Sequence, residues 1–359
     1  MRMADRVILL APSAGLGGGI ERYVETLEWA FAAKDRNCER ISLGCPGPPS
    51  HLRMVAAGRA VLRAHRANVR IVAAHRSLLP AASLLARDAR ADGITVVCHG
   101  NDVWGSRHLA RSGLENLLMG RPGVRMVAVS SFTAGALWRA APAAVLTPGL
   151  SGGWFQALVD AAGSYPPAAS DRSRAGEDPI RVVTAFRLSQ WRDKGLPELM
   201  RAVRALERPE IRVTVCGSGA VPDELQRFAG VRPGCTIRPN LPDRELAREL
   251  AAADLFVLAT RTRRGTHPSG EGFGLVLLEA QVAGTAVVGP AFGGSSDAYL
   301  DGVTGATPAD ESAEALTRTL AGLLDDPWRL AQMGKQAAEW ARGYFAPELY
   351  ASRVLARLL

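Results

Sequence analysis

The chain has 359 residues, of which 47% are hydrophobic and 22% charged, a composition typical of a globular protein long enough for two domains. No apolar stretch approaches the roughly 18 residues of a membrane-spanning helix, and the early run Val7–Ala11 is too short for a signal peptide. We therefore expect a cytoplasmic protein. The five cysteines are odd in number and form no CxxC pair, which argues against a disulfide framework and against a zinc site.

The formal net charge is +8, and residues 1–165 carry the whole excess, with 19 Lys and Arg against 11 Asp and Glu. A basic half suits an anionic partner such as a membrane surface or a charged acceptor, although a solvated, arginine-rich face explains it more simply. Arg59, Arg63, Arg66 and Arg70 recur at helical spacing. One hypothesis is therefore a basic helix that touches the inner face of the cell membrane; the alternative is a solvated helix face. No nucleic-acid partner is expected.

The first half of the chain alternates short apolar strands with helical stretches. Continuous apolar strands separated by helices are typical of a parallel sheet covered on both faces, so we predict a first doubly wound domain at residues 1–165. The predicted strands are Val7–Pro12, Ile41–Gly44, Val69–Ala74, Thr95–Cys98, Val124–Val129 and Ala144–Leu146. The predicted helices are Ile20–Ala33, Leu52–Ala67, Leu79–Ala91 and Phe132–Ala140.

A segment rich in Pro, Ser and charge interrupts the alternation and predicts an interdomain linker at residues 166–179. The alternation then resumes, which predicts a second doubly wound domain at residues 180–339. Its predicted strands are Arg181–Ala185, Arg212–Cys216, Thr236–Arg238, Leu255–Leu258 and Ala286–Val288. Its predicted helices are Leu196–Leu206, Asp223–Ala229, Asp243–Ala252, Gly274–Ala283 and Ser312–Leu324.

The final stretch, Pro327–Leu359, is helical in pattern apart from Gly343 and Pro347. We expect its last part, from about residue 340 to 359, to cross back and pack on the first domain. Ligands of open parallel sheets bind at the carboxyl ends of the strands. Two such domains facing each other therefore predict a cleft lined by loops that follow strands.

The most informative segment of the second domain contains two carboxylates eight positions apart, Glu271 and Glu279. A Gly-Phe-Gly turn, residues 272–274, separates Glu271 from the predicted helix that carries Glu279. The helix start at Leu275–Leu278 is apolar, and a buried helix N-terminus offers N–H groups and a positive dipole end to a phosphate. A carboxylate in an apolar wall needs hydrogen-bond donors, and sugar hydroxyls can supply them. The segment predicts a pocket for a phosphate joined to hydroxyl-rich groups.

Charged side chains at other strand ends are further candidates. Arg187 and Lys194 bracket the loop after the strand Arg181–Ala185, where paired cations can hold a pyrophosphate without a metal; ordinary surface charges are the equal alternative. His99 ends an apolar strand and precedes Gly100, so that a functional role and a structural role are equally supported. No role is predicted for His51, His65, His75 and His108.

Three glycine-rich loops also follow strands. Glycines let the backbone approach an anion closely, although each loop can equally be a plain turn. The first loop lacks the acidic residue that accompanies a dinucleotide-binding fingerprint, which argues against NAD. The glycines concerned are Gly17, Gly18 and Gly19 in the first loop, Gly217 and Gly219 in the second, and Gly293 and Gly294 in the third.

With these motifs in this order, the chain resembles the family-4 retaining glycosyltransferases of the GT-B fold over nearly its whole length. The Glu-x7-Glu segment is the specific element, and the other motifs gain weight from their order at strand ends. The residues that carry the resemblance are Gly17-Gly18-Gly19-Ile20-Glu21-Arg22, His99, Arg187 with Lys194-Gly195, Gly217-Ser218-Gly219, Glu271-x7-Glu279 and Gly293-Gly294.

The resemblance implies a UDP- or GDP-sugar donor bound mainly by the second domain and a hydroxylated small-molecule or glycolipid acceptor on the first domain. It also implies transfer with retention of configuration, with no cofactor and no metal. Arg187 and Lys194 would hold the diphosphate of the donor, and Glu279 would bind the ribose hydroxyls.

The resemblance assigns the donor sugar to Glu271 and to the backbone N–H groups of Gly272, Phe273 and Gly274, just before Leu275. Gly18, between Gly17 and Gly19, would approach the distal phosphate. His99 would touch the sugar near its C6 hydroxyl. Catalysis would then depend on His99, Arg187, Lys194 and Glu271, and nucleotide-sugar binding on the glycines, Phe273, Leu275 and Glu279.

Three features depart from the family pattern. Arg187 and Lys194 are more widely spaced in the chain than is usual in the family, and Trp191 is available to fill the loop between them. The run Thr260–His267 is longer than usual, and Asp297 stands where the family often has Glu.

Two alternative functions remain. A sugar-nucleotide epimerase of the same fold is disfavoured by the Glu-x7-Glu placement, and a non-catalytic nucleotide-sugar-binding subunit is disfavoured by the retention of both cations and both glutamates.

Overall fold

The computed structural model describes residues 6–12, 18–44, 48–64, 68–88, 91–103, 109–164, 179–263 and 268–359. The chain divides into two compact units. The first comprises Met1–Ser151 with Pro347–Leu359, and the second comprises Gly152–Arg263 with Ser269–Ala346. The predicted linker at 166–179 lies outside the described residues except for its last residue.

The first unit is built on a parallel six-stranded sheet with the strand order β2-β1-β3-β4-β5-β6. Apart from Arg6 and Arg70, strands β1 and β3 are apolar, and they are almost completely buried, as expected for strands covered by helices on both faces. The strands are β1 (Arg6–Ala11), β2 (Asn37–Ser42), β3 (Val69–Ala73), β4 (Ala91–Cys98), β5 (Val124–Ala128) and β6 (Ala143–Val145). The helices between them are α1 (Gly19–Ala32), α2 (Pro48–Ala64), α3 (Leu79–Leu85), α4 (Leu109–Met119) and α5 (Ser131–Leu137).

The second unit contains a second parallel six-stranded sheet with the order β12-β11-β10-β7-β8-β9. The direction in which strands are added reverses between β7 and β10, which makes this pair the topological switch point of the sheet. The strands are β7 (Ile180–Ala185), β8 (Ile211–Gly217), β9 (Cys235–Pro239), β10 (Leu255–Val257), β11 (Val287–Val288) and β12 (Gly305–Ala306). The helices are α6 (Gly152–Gly163), α7 (Leu196–Ala205), α8 (Asp223–Gly230), α9 (Asp243–Ala251), α10 (Leu275–Val282), α11 (Ala313–Leu324) and α12 (Pro327–Tyr344).

The last helix, α13 (Pro347–Leu358), belongs to the first unit and packs on α1. Thr95 Oγ1 in β4 donates a hydrogen bond to the carbonyl oxygen of Leu358 at 2.8 Å. Tyr350 is fully buried against Gly149, where a Cβ would lie 2.5 Å from the tyrosine ring. The predicted return of the C-terminal helix to the first domain is confirmed. It begins at Pro347 rather than near residue 340, because α12 extends to Tyr344.

Arg70 does not belong to the basic helix that the arginine spacing suggested. Helix α2 ends at Ala64, whereas Arg70 lies in β3 and is buried. Its Nη2 donates to the carbonyl oxygen of Leu359 at 3.0 Å. The four-residue spacing therefore continues beyond the end of the helix by coincidence, and the hypothesis of one helix through Arg70 is wrong.

Other differences from the predicted elements have simple causes. Helix α6 packs against α9 and α10, so the second unit starts at Gly152, ahead of the predicted boundary at 165. Helix α3 ends at Leu85 rather than Ala91, because Ala91 already opens β4. The sequence did not predict α4, α6 or the two-residue strand β12.

Within the described part of the chain, no helix has both the length and the apolar character needed to cross a membrane. The longest helices, α2 and α12, carry charged residues along their length.

Candidate functional site

Lys194, Glu271 and Thr260 meet in the second unit. Lys194 Nζ lies 2.9 Å from Glu271 Oε2, and Thr260 Oγ1 donates to the same carboxylate oxygen at 2.9 Å. Thr260 is buried, while the side chains of Lys194 and Glu271 keep 21% and 12% of their surface exposed. The ammonium and the carboxylate are therefore held side by side and can still be reached by a ligand.

The surroundings of Glu271 favour its ionised form. Burial alone acts to raise the pKa of the Glu271 carboxyl. The Lys194 ammonium and hydrogen bonds from Lys194, Thr260 and the Gly272 backbone outweigh burial and hold that pKa below its usual value. At neutral pH the group is a carboxylate that accepts hydrogen bonds and donates none.

Two glycines fix the backbone of Glu271. The Gly294 N–H donates to the Glu271 carbonyl oxygen at 2.9 Å. At Gly293 the φ angle is +113°, and a Cβ would lie 2.6 Å from the same carbonyl oxygen. A larger residue at position 293 would displace the backbone of Glu271, so the Gly293-Gly294 loop supports the carboxylate-bearing segment.

Helix α10 begins directly after this segment. Gly274 precedes its first residue, Leu275, and adopts a left-handed conformation with φ of +78°. Phe273 is 4% exposed and its ring centroid lies 6.5 Å from that of Phe345. The first N–H groups of a helix have no partner within the helix, and they carry the positive end of its dipole. The turn therefore brings a helix N-terminus close to Glu271.

The strand order explains why these groups meet. Lys194 follows β7, Thr260 follows β10, and the Gly293-Gly294 loop follows β11. In the sheet β10 lies between β7 and β11, so the carboxyl ends of the three strands are neighbours. The cluster forms at the switch point between β7 and β10, the usual ligand position in open parallel sheets.

Glu279 lies in the second turn of α10 and is 5% exposed. Its Oε1 accepts a hydrogen bond of 3.0 Å from the indole Nε1–H of Trp154, which is also 5% exposed. Trp154 is near the start of α6, a helix that packs on α10. The predicted need of this buried carboxylate for a donor is thus met in part by a tryptophan.

Trp191 fills the inside of the loop that carries Arg187 and Lys194, as the sequence predicted. Trp191 is 4% exposed, and its ring centroid lies 4.8 Å from that of Phe228. Arg187 is the residue before a short 3₁₀ turn, and Lys194 comes at the far end of the loop. Gly195 follows with φ of +72°, and a Cβ there would lie only 1.8 Å from the carbonyl oxygen of Ala259.

Gly217 ends β8, and a Cβ at this position would lie 2.1 Å from the carbonyl oxygen of Phe186. Asn240 clamps the same loop: its Oδ1 accepts from the Gly219 N–H at 2.8 Å, and its Nδ2 donates to the Gly219 carbonyl oxygen at 3.2 Å. The glycines of this loop therefore allow close contact between neighbouring strand-end loops. Their contact with a nucleotide stays a prediction.

His99 lies at the end of β4 in the first unit and is 8% exposed. Its Nε2 lies 2.8 Å from the Ala74 carbonyl oxygen, which can only accept, so Nε2 carries the ring proton. Burial first, and then the neighbouring His75, lower the pKa of His99 to about 4, against smaller opposing effects of Asp102 and the Ala74 hydrogen bond. His99 is therefore a neutral imidazole at neutral pH, with Nδ1 as its acceptor atom.

A carboxylate and a second imidazole hold the His99 segment. The His99 N–H donates to Asp102 Oδ2 at 2.8 Å, and His75 Nε2 lies 3.4 Å from Asp102 Oδ1. The rings of His75 and His99 stack with centroids 5.8 Å apart. Burial raises the pKa of Asp102 to about 6. The sequence predicted no role for His75, but its place after β3, next to β4 in the sheet, brings it to His99.

The glycine-rich loop after β1 is described only in part. Gly18 precedes α1 with φ of +140°, and Gly19 is the first residue of the helix. Gly17 lies outside the described residues. The helix N-terminus that an anion would approach is thus present, and the contact itself stays a prediction.

Sequence reasoning missed Thr260 and Trp154. Thr260 follows a strand, so the rule that ligands bind at strand ends could have found it once the order of the strands was known. Trp154 lies on α6, which the sequence did not predict, and no local pattern marks its contact with Glu279. Across the described residues, no three His, Cys, Asp or Glu side chains are grouped so as to hold a metal ion.

The sequence of this chain is similar to those of known proteins. Residues 168–340 match the model of the family Glycosyl transferases group 1. The GDP-mannose-dependent alpha-(1-6)-phosphatidylinositol monomannoside mannosyltransferase of Mycolicibacterium smegmatis is 33% identical over 267 residues, which cover 72% of this chain and 67% of the relative. The D-inositol 3-phosphate glycosyltransferase of Streptomyces avermitilis is 34% identical over 189 residues, which cover 48% and 39% respectively. The chain belongs to the group 1 glycosyltransferases.

This group 1 glycosyltransferase also shares its architecture with solved structures. Anabaena HepE in complex with UDP and glucose superimposes with a TM-score of 0.72 at 18% identity, covering 99% of this chain and 100% of that chain. At this identity the likeness concerns the fold alone, and it confirms the predicted α/β architecture of GT-B type. The enzyme class is confirmed by the family and the relatives: the protein is a glycosyltransferase that uses a nucleotide sugar.

Proposed function

We propose that the protein is a family-4 retaining glycosyltransferase that moves a hexose from a nucleotide-diphosphate sugar to a hydroxyl of a small-molecule or lipid-linked acceptor. The observation that carries the proposal is the cluster of Lys194, Glu271 and Thr260 beside the N-terminus of α10, at the switch point of the second sheet. It offers a cation and backbone N–H groups to a diphosphate, and a carboxylate to sugar hydroxyls.

The donor would extend from Glu279 at its ribose end to Glu271 at its sugar end. Arg187 and Lys194 hold the diphosphate, and Glu279 binds the ribose. Glu271 and the N–H groups of Gly272–Gly274 hold the sugar. In the first unit, Gly18 would approach the distal phosphate, and the neutral His99 would touch the donor sugar near its C6 hydroxyl. These roles follow the family resemblance, and the site geometry of each unit is compatible with them.

The chemistry fits an electrostatic mechanism. The acceptor hydroxyl attacks the anomeric carbon on the face from which the diphosphate leaves, and the departing phosphate oxygen takes the acceptor proton. The new glycosidic bond forms as the bond from the anomeric carbon to the phosphate oxygen breaks, so configuration is retained. Lys194, Arg187 and the dipole of α10 stabilise the charge that grows on the diphosphate, without a metal or cofactor.

The relatives narrow the substrates to be tried first. One relative is named as GDP-mannose-dependent and acts on a phosphatidylinositol monomannoside, and another is named for D-inositol 3-phosphate. We therefore propose GDP-mannose as the first donor to be tried, UDP-sugars as the second, and an inositol-bearing molecule as the acceptor.

Retention of configuration is tested by the one-bond carbon–hydrogen coupling at the anomeric carbon of the product, measured by NMR. A product with inverted configuration contradicts the proposed mechanism.

Mass spectrometry after incubation with a panel of GDP- and UDP-sugars tests the function, because slow hydrolysis identifies the donor before the acceptor is known. With the donor found, Lys194→Ala and Glu271→Ala are expected to lower transfer by about 2–5 kcal/mol in transition-state stabilisation, roughly 30-fold to more than 1000-fold in rate. Lys335→Ala is the matched control, since Lys335 is an exposed lysine on α12.

Circular dichroism must show that each variant is folded. Near-normal turnover in either site variant contradicts the site assignment. Conversion of the donor to an epimeric sugar nucleotide supports the epimerase alternative, and binding of sugar nucleotides without any turnover supports a non-catalytic subunit.

A lipid-linked acceptor would require the protein, which we place in the cytoplasm, to reach a membrane surface. Helix α2 exposes Leu52, Arg53, Arg59 and Arg63, a combination that suits peripheral contact with anionic lipid. We expect flotation with phosphatidylglycerol vesicles at low salt, release at high salt, and weaker flotation of Arg59→Gln with Arg63→Gln. If the protein does not float with the vesicles at low salt, the lipid-linked acceptor is contradicted and the small-molecule acceptor remains.

A further inference from the structure

The hydrogen bond between Trp154 and Glu279 is not explained by the motifs that define the donor site. The indole Nε1 lies 3.0 Å from Glu279 Oε1, and both side chains are 5% exposed. Trp154 comes from α6, well before the second sheet in sequence, and it reaches Glu279 because α6 packs on α10. A residue outside every predicted motif thus touches the carboxylate expected to bind ribose.

The chemistry of the pair fixes Glu279 Oε1 as a hydrogen-bond acceptor. An indole N–H is a donor and cannot accept, so it stabilises the carboxylate oxygen as an acceptor. A hydrogen bond to a charged acceptor is stronger than one between neutral groups, and this matters in the apolar wall of α10, where Leu277, Leu278 and Ala280 are buried. The Trp154 N–H therefore holds Glu279 Oε1 as a hydrogen-bond acceptor within this apolar wall.

The pair also restricts the position of the carboxylate. A glutamate side chain has three rotatable bonds, whereas a tryptophan in a packed interior has little freedom. Fixing Oε1 on the indole reduces the rotamers that Glu279 can adopt. A carboxylate provides about four lone-pair positions on two oxygens, so it can accept hydrogen bonds from more donors than the indole alone.

We propose that Trp154 is a positioning residue that orients Glu279 to accept hydrogen bonds from the ribose diol of the donor, and that it thereby sets the preference for ribonucleotides over deoxyribonucleotides. This inference rests on the proposed function, in which Glu279 binds the nucleotide ribose. The alternative is a purely structural role in joining α6 to α10, which would affect all nucleotides alike.

The test compares a ribonucleotide with its 2′-deoxy analogue in binding to the full chain. Calorimetry first determines whether wild type binds GDP or UDP, and the tighter nucleotide is paired with dGDP or dUDP. Wild type is expected to prefer the ribonucleotide by about 10-fold or more, as expected for hydroxyl groups bound by a carboxylate. In Trp154→Phe, which keeps a ring but removes the N–H donor, most of this preference is expected to be lost, through weaker binding of the ribonucleotide alone.

Two matched variants support the comparison. Trp328→Phe, at a tryptophan of α12 that is 71% exposed, should behave as wild type, and Glu279→Gln should lose the preference directly. If Trp154→Phe does not fold, β-(3-benzothienyl)alanine at position 154 replaces the N–H by sulfur in nearly the same shape. The same loss of preference is expected from that substitution.

Each outcome has one meaning. If wild type binds neither GDP, UDP nor any sugar nucleotide derived from them, the proposed function fails. If wild type binds nucleotides but does not prefer ribose, or if removal of the N–H leaves the preference unchanged or weakens both nucleotides equally, the role of Trp154 is overturned while the proposed function stands.

Discussion

Lys194 reaches Glu271 because the loop after β7 turns back at Gly195. The φ at Gly195 is +72°, and a Cβ added there would lie 1.8 Å from the Ala259 carbonyl oxygen, which excludes any other residue at this position. Ala259 immediately precedes Thr260, the second hydrogen-bond partner of Glu271. One backbone contact therefore sets the positions of both groups that hold the carboxylate.

Gly195→Ala is expected to lower the free energy of unfolding by more than about 3 kcal/mol, because it combines left-handed strain of roughly 1–2 kcal/mol with displaced backbone. Gly302→Ala is the matched control. Gly302 has φ of +74°, yet no atom lies within 4 Å of an added Cβ. Urea unfolding measures both variants, and an equal loss in the two contradicts the importance of the Ala259 contact.

At the scale of whole elements, side chains of the first sheet donate hydrogen bonds to the C-terminal end of helix α13. The last carbonyl groups of a helix have no partner within the helix. Here Thr95 of β4 donates to Leu358, and Arg70 of β3 donates to Leu359. Both donors are buried, and their hydrogen bonds attach the returning helix to the first sheet.

Thr95→Val should destabilise the protein by about 1–2 kcal/mol, since it keeps the shape of the side chain and leaves the Leu358 carbonyl without this donor. Thr317→Val is the control, because Thr317 Oγ1 donates only within its own helix, to Ala313 at 2.7 Å. The two urea midpoints should differ clearly. Equal midpoints would mean that the bond to Leu358 contributes nothing measurable to the attachment of α13.

Across the whole molecule, two sheets with different strand orders carry two sets of candidate residues at strand ends. In the second sheet the cluster of Lys194, Glu271 and Thr260 lies at the switch point. In the first, the order β2-β1-β3 puts the switch point between β1 and β3, and His75 follows β3. Candidate side chains therefore lie at strand ends in both units: a charged pair, Lys194 and Glu271, in the second, and the imidazoles His75 after β3 and His99 after β4 in the first.

If the second unit binds the donor as proposed, a nucleoside diphosphate should stabilise the folded protein by about 2.7 kcal/mol at a concentration 100 times its Kd, because only the folded site would bind it. The rise in thermal midpoint should be the same with EDTA, and it should be much smaller for Lys194→Ala at the same concentration. Differential scanning fluorimetry makes both comparisons. A rise that requires added magnesium or manganese contradicts the metal-independent site.

Much of this architecture can be predicted locally. The apolar runs that form β1, β3, β7 and β8 and the helices α1, α2 and α7 agree with the sequence prediction within a few residues, because hydrophobic periodicity acts over short distances. Lys194 and Glu271, both predicted for the donor site, lie side by side, and their contact with a donor stays a prediction. Short elements such as β12 were not predictable, since a two-residue strand exists only through its neighbour β11.

The sequence by itself determined the alternation of strands and helices in both units, the chemistry available at the strand ends, and the glycosyltransferase family. Only the tertiary structure decided which of those groups meet. Thr260 joins Glu271 because β10 lies between β7 and β11, and Trp154 joins Glu279 because α6 packs on α10. Strand order and helix packing depend on contacts between residues distant in the chain, which no local pattern records.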